Sequence, residues 1–288
     1  MARDGMVERD RGLTLAAHGL LILGCTVMVL PVYLAFVAST HPGADFLSGR
    51  IGFLPGDRML ENYAGLIGAG AGLQGFPPLG GALWNSLLMA LGIAIGKISI
   101  SILSAFAICY FRFPFRQTAF WLIFITLMLP VEVRILPTYK VVAGLSLLNT
   151  QGGLILPLIA SATATFLFRQ VFMTIPDEMT EAARMDGAGP LAFFWHILVP
   201  LSRTNIAALF VILFIYGWNQ YLWPLMVTTD AAHSTILTSI QRLASTATQE
   251  APVWHLVMAT AILALLPPVA VILLMQRLFV QGLTETEK

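Results

Sequence analysis

Long apolar runs separated by short polar connections set the pattern of this chain. Six runs are long enough to cross about 30 Å of hydrocarbon, which takes roughly 20 helical residues. They fall at about 16–39, 82–109, 118–139, 152–173, 204–227 and 254–276. The pattern predicts an all-α polytopic membrane protein with about six transmembrane helices. One membrane domain, 16–276, is flanked by tails at 1–15 and 277–288. The first run is too long for the apolar core of a signal peptide and lacks a convincing cleavage site, so it reads as a retained span. The segment from 40 to 81 contains "AGLIGAGAGLQGFPPLGG". So much glycine and proline predicts a loop over the outer mouth in place of a regular helix.

One connection, 174–203, carries a helical pattern of its own. In "TIPDEMTEAARMDGAG" Thr174 can cap, Pro176 suits a first turn, and Asp177 and Glu178 complement the positive helix end. Ala183 and Gly187 form a small-residue face, and Gly187, Gly189 and Pro190 end the helix. "LAFFWHILVP" then sets Leu191, Phe194, Trp195 and Leu198 on one stripe. The two pieces read as an angled helix-turn-helix against the span bases, its acidic first half, with Glu181 and Asp186, offered to a partner.

Composition agrees with the spans. Hydrophobic residues make up 57% of the 288 and charged residues 11%, well below the quarter or so usual for soluble domains. A net charge of +1 argues against a nucleic-acid partner. Placement of the basic residues is more informative than their sum. With the N-terminus inside, Arg3, Arg9, Arg11, Arg112, Arg116, Arg169, Arg184, Arg203, Arg277 and Lys288 face the cytoplasm. Arg50, Arg58, Lys140 and Arg242 face outward. That asymmetry predicts both termini cytoplasmic. Cys25 and Cys109 lie in apolar runs and read as small buried hydrophobes with no disulfide or metal role.

Charges inside the spans narrow the function. Lys97, Glu132 and Arg134 would each cost roughly 2.5–3.5 kcal/mol against lipid on insertion scales, so each needs a partner or water. "LMLPVEVRILPTYK" holds Glu132 and Arg134 between Pro130 and Pro137, and prolines free carbonyls that only a protein-lined or wet cavity satisfies. Such a broken helix either borders a solute path or is an interfacial end whose charges snorkel or pair with a neighbouring subunit; Lys97 reads as structural. In "YGWNQYLWPL", Tyr216, Trp218, Asn219 and Gln220 are candidates for the pathway, the amides for hydrogen bonding and the rings for stacking. An interfacial aromatic belt is the plainer alternative.

Catalytic signatures are missing from the sequence. "GIAIGKIS" superficially resembles a phosphate loop, but Ile98 replaces the needed Ser or Thr and no strand precedes it. The five histidines are scattered and no metal-ligand spacing appears. The readings left open are an importer subunit energised from elsewhere, a stand-alone secondary transporter, and, least, a membrane-embedded enzyme.

The connection at 174–203 resembles the EAA loop of binding-protein-dependent ABC importer permeases. Glu181, Ala182, Ala183, Gly187, Ile197 and Pro200 stand where that family has Glu-Ala-Ala, Gly, Ile and Pro, with Val199 an apolar departure from the family's Leu. The resemblance extends along nearly the whole chain to the maltose-type carbohydrate-uptake branch, especially to permeases of sn-glycerol-3-phosphate importers. It implies a type I permease fold in a bacterial inner membrane, with a cytoplasmic coupling helix in the loop 174–203 and Glu181, Ala182, Ala183, Asp186, Gly187, Ile197 and Pro200 as its ATPase-coupling residues. It implies as partners a second permease subunit in a heterodimer, a cytoplasmic ATPase dimer that binds ATP and magnesium, and an extracytoplasmic solute-binding protein. No cofactor is expected in this chain. The tail from Gln276 to Lys288 would reach toward the ATPase. The implied solute is sn-glycerol 3-phosphate with related glycerophosphodiesters, for which Arg134 would be a counter-charge; a neutral sugar or oligosaccharide is the alternative.

Overall fold

A computed structural model describes residues 11–69, 76–125, 131–247 and 253–285. Among them every regular element is helical. In chain order these are α1 (Arg11–Ser39), α2 (Gly43–Ser48), α3 (Met59–Ala69), α4 (Leu79–Tyr110), α5 (Arg116–Ile125), α6 (Val131–Gly144) and α7 (Gln151–Ile155). After a 3-10 turn at Leu156–Leu158 come α8 (Ala162–Met173), α9 (Asp177–Met185), α10 (Pro190–Phe193), α11 (Val199–Leu201) and α12 (Arg203–Trp218). The last three are α13 (Leu222–Val227), α14 (Ile236–Ala247) and α15 (Trp254–Glu285).

Among the described residues three helices are each long and apolar enough to cross a membrane: Gly12–Ser39, Leu79–Tyr110 and Trp254–Gln276. The number rises to five if each of two bent pairs is one span. The run expected at 152–173 is one of these pairs, α7 and its 3-10 turn meeting α8 at 49°. Pro157 lacks the N–H an α-helix would need there, and the chain restarts at Ser161, whose hydroxyl accepts from Ala164 N–H at 3.3 Å. The other pair, Pro190–Leu201 with Arg203–Trp218, bends by 72°. The run expected at 118–139 is α5 and α6, and 126–130 between them lie outside the described residues. The run expected at 204–227 is interrupted between α12 and α13 at 219–221. The backbone of α15 stays helical through Glu285, well into the expected tail.

The chain divides into two compact units. The first comprises Met1–Gly72 with Arg242–Leu263. Within it the outer segment folds back on the end of α1. Asn62 donates to Ser39 O at 2.8 Å and to His41 O at 3.1 Å. Gly56 N–H donates to Thr40 Oγ1 at 2.7 Å, and Tyr33 donates to Phe53 O at 2.7 Å. The loop expectation for 40–81 is corrected at Gly43–Ser48 and Met59–Ala69, which are helical, and 70–75 lie outside the described residues. In α3 Leu66 is fully buried and Asn62 is pinned, so tertiary contacts outweigh the glycines' poor propensity. Cys25 also departs from expectation. It is exposed, as are the residues around it on α1 from 15 to 34, and this apolar surface needs lipid or another subunit against it.

The second unit, Leu73–Gln241 with Ala264–Lys288, is organised around α4, which packs mainly against α8 and α12. Glycines set the closeness of this packing. A methyl at Gly96 would stand 2.6 Å from Ile159 Cγ2, and one at Gly92 would stand 2.7 Å from Ile155 Cδ1. The glycines of the false phosphate loop are therefore notches that receive two isoleucines. On the α12 side, a methyl at Gly217 would meet Ala90 Cα at 2.9 Å. The core beside these contacts includes Met89, Ile93, Leu154, Trp223 and Val227. A polar lock fixes the loop before α14. Asn85 donates to Ala232 O at 2.7 Å and accepts from Gln151 at 2.8 Å, and Ser86 Oγ accepts Ile236 N–H at 2.8 Å.

Candidate functional site

Two parts of the second unit carry the candidate residues: a small cavity among the helices and the angular connection α9–α11.

The cavity encloses about 140 Å³ and is lined by Lys97, Arg134, Thr138, Tyr216, Gln220 and Trp223 with apolar neighbours. Each residue arrives there for a local reason. Arg134 and Thr138 are four apart on α6 and share a face, with the Thr138 hydroxyl donating to Arg134 O at 2.7 Å. Tyr216 and Gln220 are likewise four apart where α12 ends, and Gln220 Nε2 donates to Tyr216 O at 3.2 Å. Lys97 sits on α4 with only 7% of its surface exposed. Its Nζ lies 3.7 Å from the centroid of the Tyr216 ring, a cation–π contact that partly replaces hydration.

Among the described residues no carboxylate reaches Lys97 or Arg134; the three ion pairs found are His41–Asp45, Arg58–Glu61 and His233–Asp230. Arg134 is exposed and Lys97 buried. The two cations on one small cavity repel each other, and an anion entering it would relieve the repulsion and the lost solvation of Lys97.

The other pathway candidates are placed differently. Trp218 is 2% exposed and donates its indole N–H to Ala264 O at 3.0 Å, which makes it a packing residue in this geometry. Asn219 caps the end of α12 and is exposed, outside the cavity lining. The side chain of Glu132 lies outside the described residues. Lys97, read from sequence as structural, is the residue that joins Arg134, Tyr216 and Gln220. Its signal was present in its cost, a cation deep in an apolar run, but the ring that receives it is remote in sequence.

In the connection, α9 begins at Asp177 after Pro176, with Asp177 and Glu178 in the first turn. Thr174 does not cap it, because its hydroxyl turns back to Val171 O at 2.7 Å. The helix ends in a glycine-closed Schellman turn. Gly187 has φ +74°, Gly187 N–H donates to Arg184 O at 3.0 Å, and Ala188 N–H to Ala183 O at 2.9 Å. Ala183 is buried, while Glu181, Ala182 and Asp186 are exposed.

The expected stripe in the second half splits. Phe194 and Leu198 are buried, whereas Leu191 and Trp195 are 69% and 62% exposed. A π turn at Phe194–Leu198 is wider than an α-turn and shifts the register. Ile197 is half-buried and Pro200 exposed. Aromatic contacts clamp the elbow to the base of α4: Phe194 lies 5.0 Å from Phe106, and Phe193 lies 5.3 Å from Tyr110. Lys97 is on the same unbroken helix, about 20 Å from Tyr110 along the axis at roughly 1.5 Å per residue.

Residues 97–285, which include both the cavity and the elbow, match the family described as the binding-protein-dependent transport system inner membrane component. The chain belongs to that family. A full-length relative of this permease in Brucella melitensis is the sn-glycerol-3-phosphate transport system permease protein UgpE. It is 56% identical over 283 residues, covering 98% of this chain and 100% of the relative. The proteins of the same name from Agrobacterium fabrum and Yersinia pestis are 56% and 54% identical, with the same coverage. Among solved structures, a chain of a bacterial ABC transporter involved in the import of the acidic polysaccharide alginate aligns with a TM-score of 0.78 at 20% identity. The alignment covers 94% of this permease and 98% of that chain. The fold is that of an ABC importer permease.

Proposed function

We propose that this permease forms half of the translocation path of an ATP-driven importer for sn-glycerol 3-phosphate and related glycerophosphodiesters. The observation that carries this reading is the cavity on which Lys97 and Arg134 converge with no described carboxylate in reach. A phosphate ester would bring negative charge to both cations through charge-assisted hydrogen bonds. Tyr216, Gln220 and Thr138 offer a hydroxyl, an amide and a second hydroxyl to the glycerol part. The names of the full-length relatives point to the same solute.

The chain itself is not an enzyme in this scheme. ATP and magnesium bind a separate cytoplasmic ATPase dimer, a second permease subunit completes the path, and an extracytoplasmic binding protein delivers the solute. Both termini and the elbow face the cytoplasm. Helix α9 docks the ATPase through exposed residues such as Glu178, Ala182, Met185 and Asp186, while buried Ala183 faces the rest of the permease. Closure of the ATPase pair moves α9. The Phe193–Tyr110 and Phe194–Phe106 contacts pass that displacement to α4 and so to Lys97.

The test is uptake of labelled sn-glycerol 3-phosphate by the complete system carrying Arg134→Gln. Removing a charge-assisted hydrogen bond to the phosphate is expected to lower uptake about tenfold, with unchanged amounts of assembled complex. Equal uptake by variant and wild type, or competition by neutral sugars but not by glycerol phosphates, would reject this solute.

A further inference from the structure

A second cavity in the same unit gathers four guanidiniums. It encloses about 600 Å³, within the roughly 300–1,000 Å³ typical of small-molecule sites. Arg112 comes from the connection between α4 and α5, Arg116 from the first residue of α5, Arg169 from α8, and Arg184 from the last turn of α9. Asp177 and Glu181, on α9, also line it. Six charged groups therefore face one cavity with a surplus of two positive charges. No guanidinium lies within 4.0 Å of either carboxylate, since the ion pairs found among the described residues are all elsewhere. Arg169 is held from behind, its guanidinium 4.4 Å from the centroid of the Phe120 ring.

The depth and the flank of this cavity indicate its ligand. Tyr110 and Met173, the last residues of α4 and α8, line it, so it opens where hydrocarbon gives way to headgroups. Phe120 of α5 backs Arg169, while Trp121 and Leu122 beside it are 55% and 62% exposed. An apolar surface with an interfacial tryptophan thus adjoins the basic opening. A soluble anion would use the charges and leave that surface bare, whereas a lipid uses both. Basic pockets between span ends are general receptors for anionic headgroups.

We propose that this cavity binds the phosphate of an anionic phospholipid, with the acyl chains along α5. Arg112, Arg116 and Arg169 contact the phosphate, and the lipid ties the base of α4 and α8 to α9 through Arg184. The shared chemistry is a phosphate ester; the lipid is its source. The inference rests on the chain spanning a bilayer and not on which solute it carries.

The full-length chain, purified with its co-expressed partner subunits into nanodiscs of phosphatidylcholine with added phosphatidylglycerol, is assayed by native mass spectrometry for retained lipid. Wild type retains phosphatidylglycerol over phosphatidylcholine. Arg112→Gln with Arg116→Gln lowers that retention about tenfold. Arg112→Gln with Arg116→Lys keeps part of it, and Arg203→Gln, a single charge removed outside the cavity lining, leaves it unchanged. Excess inorganic phosphate does not displace the lipid. Equal retention by wild type and the double glutamine variant overturns the site. Arginine-dependent binding of inorganic phosphate in pure phosphatidylcholine, without preference for phosphatidylglycerol, overturns the lipid source. Loss of co-purifying ATPase with retention unaltered assigns the arginines to a protein contact and overturns the proposal as well. Solute uptake enters none of these readouts, so an error in the assigned solute would leave them untouched.

Discussion

Lys97 and Arg134 share a cavity of about 140 Å³, whereas Arg112, Arg116, Arg169 and Arg184 share one of about 600 Å³ at the ends of α4 and α8. Both groups lack paired carboxylates among the described residues, yet they burden the fold differently. At the span ends Arg112 and Arg184 are exposed and Arg116 and Arg169 half-buried, and long stems let such side chains snorkel. Midway along α4, Lys97 has little water, and the ring of Tyr216 lies against its ammonium. A cation retained where it destabilises is best explained by something that visits it. A cation at an interface needs no such explanation until several converge on one cavity.

The largest effect is expected at Lys97. Replacing it with Met removes a buried charge that no described carboxylate pairs, so thermal stability of the assembled complex is expected to hold or rise. Uptake of sn-glycerol 3-phosphate is expected to fall about tenfold to a hundredfold. A variant that unfolds would instead make Lys97 a structural residue. The elbow gives the next largest effect. At Gly187, φ +74° excludes a branched side chain, and Gly187→Val stores roughly 1–3 kcal/mol of strain in the closing turn. ATP hydrolysis stimulated by loaded binding protein should drop severalfold while solute binding to the binding protein is unaffected. Unchanged stimulation would mean the turn does not transmit motion. Smaller again is Gln220→Ala, which removes one neutral hydrogen-bonding group from the cavity. It is expected to raise the solute concentration for half-maximal uptake about fivefold. Asn219→Ala sharpens the contrast: being outside the cavity lining, it should alter uptake by less than about twofold. An Asn219 effect equal to that of Gln220 would move the path away from Lys97.

Much of this is legible in the sequence. Apolar run length marks α1, α4 and α15, and Glu181, Ala183 and Gly187 mark the elbow, because membrane thickness and turn chemistry act locally on the chain. What sequence could not supply depends on contacts between distant residues. Residues 64–69 are helical through anchors at Leu66 and Asn62. Trp218 reads as a ligand platform until its indole N–H is seen to meet Ala264 O. Lys97 reads as structural because nothing near it in the chain announces Tyr216. The widened turn at Phe194–Leu198 likewise splits a stripe that a regular 3.6-residue period draws as continuous.

The notches at Gly92 and Gly96 repeat every four residues, as do Ile155 and Ile159 that fill them. This makes the meeting of α4 with the bent pair a toothed rack. A slide of part of a turn would lift the isoleucine methyls out of their notches, and only a step of four residues along α4, about 6 Å at roughly 1.5 Å per residue, would bring Ile159 to the notch that Ile155 now fills.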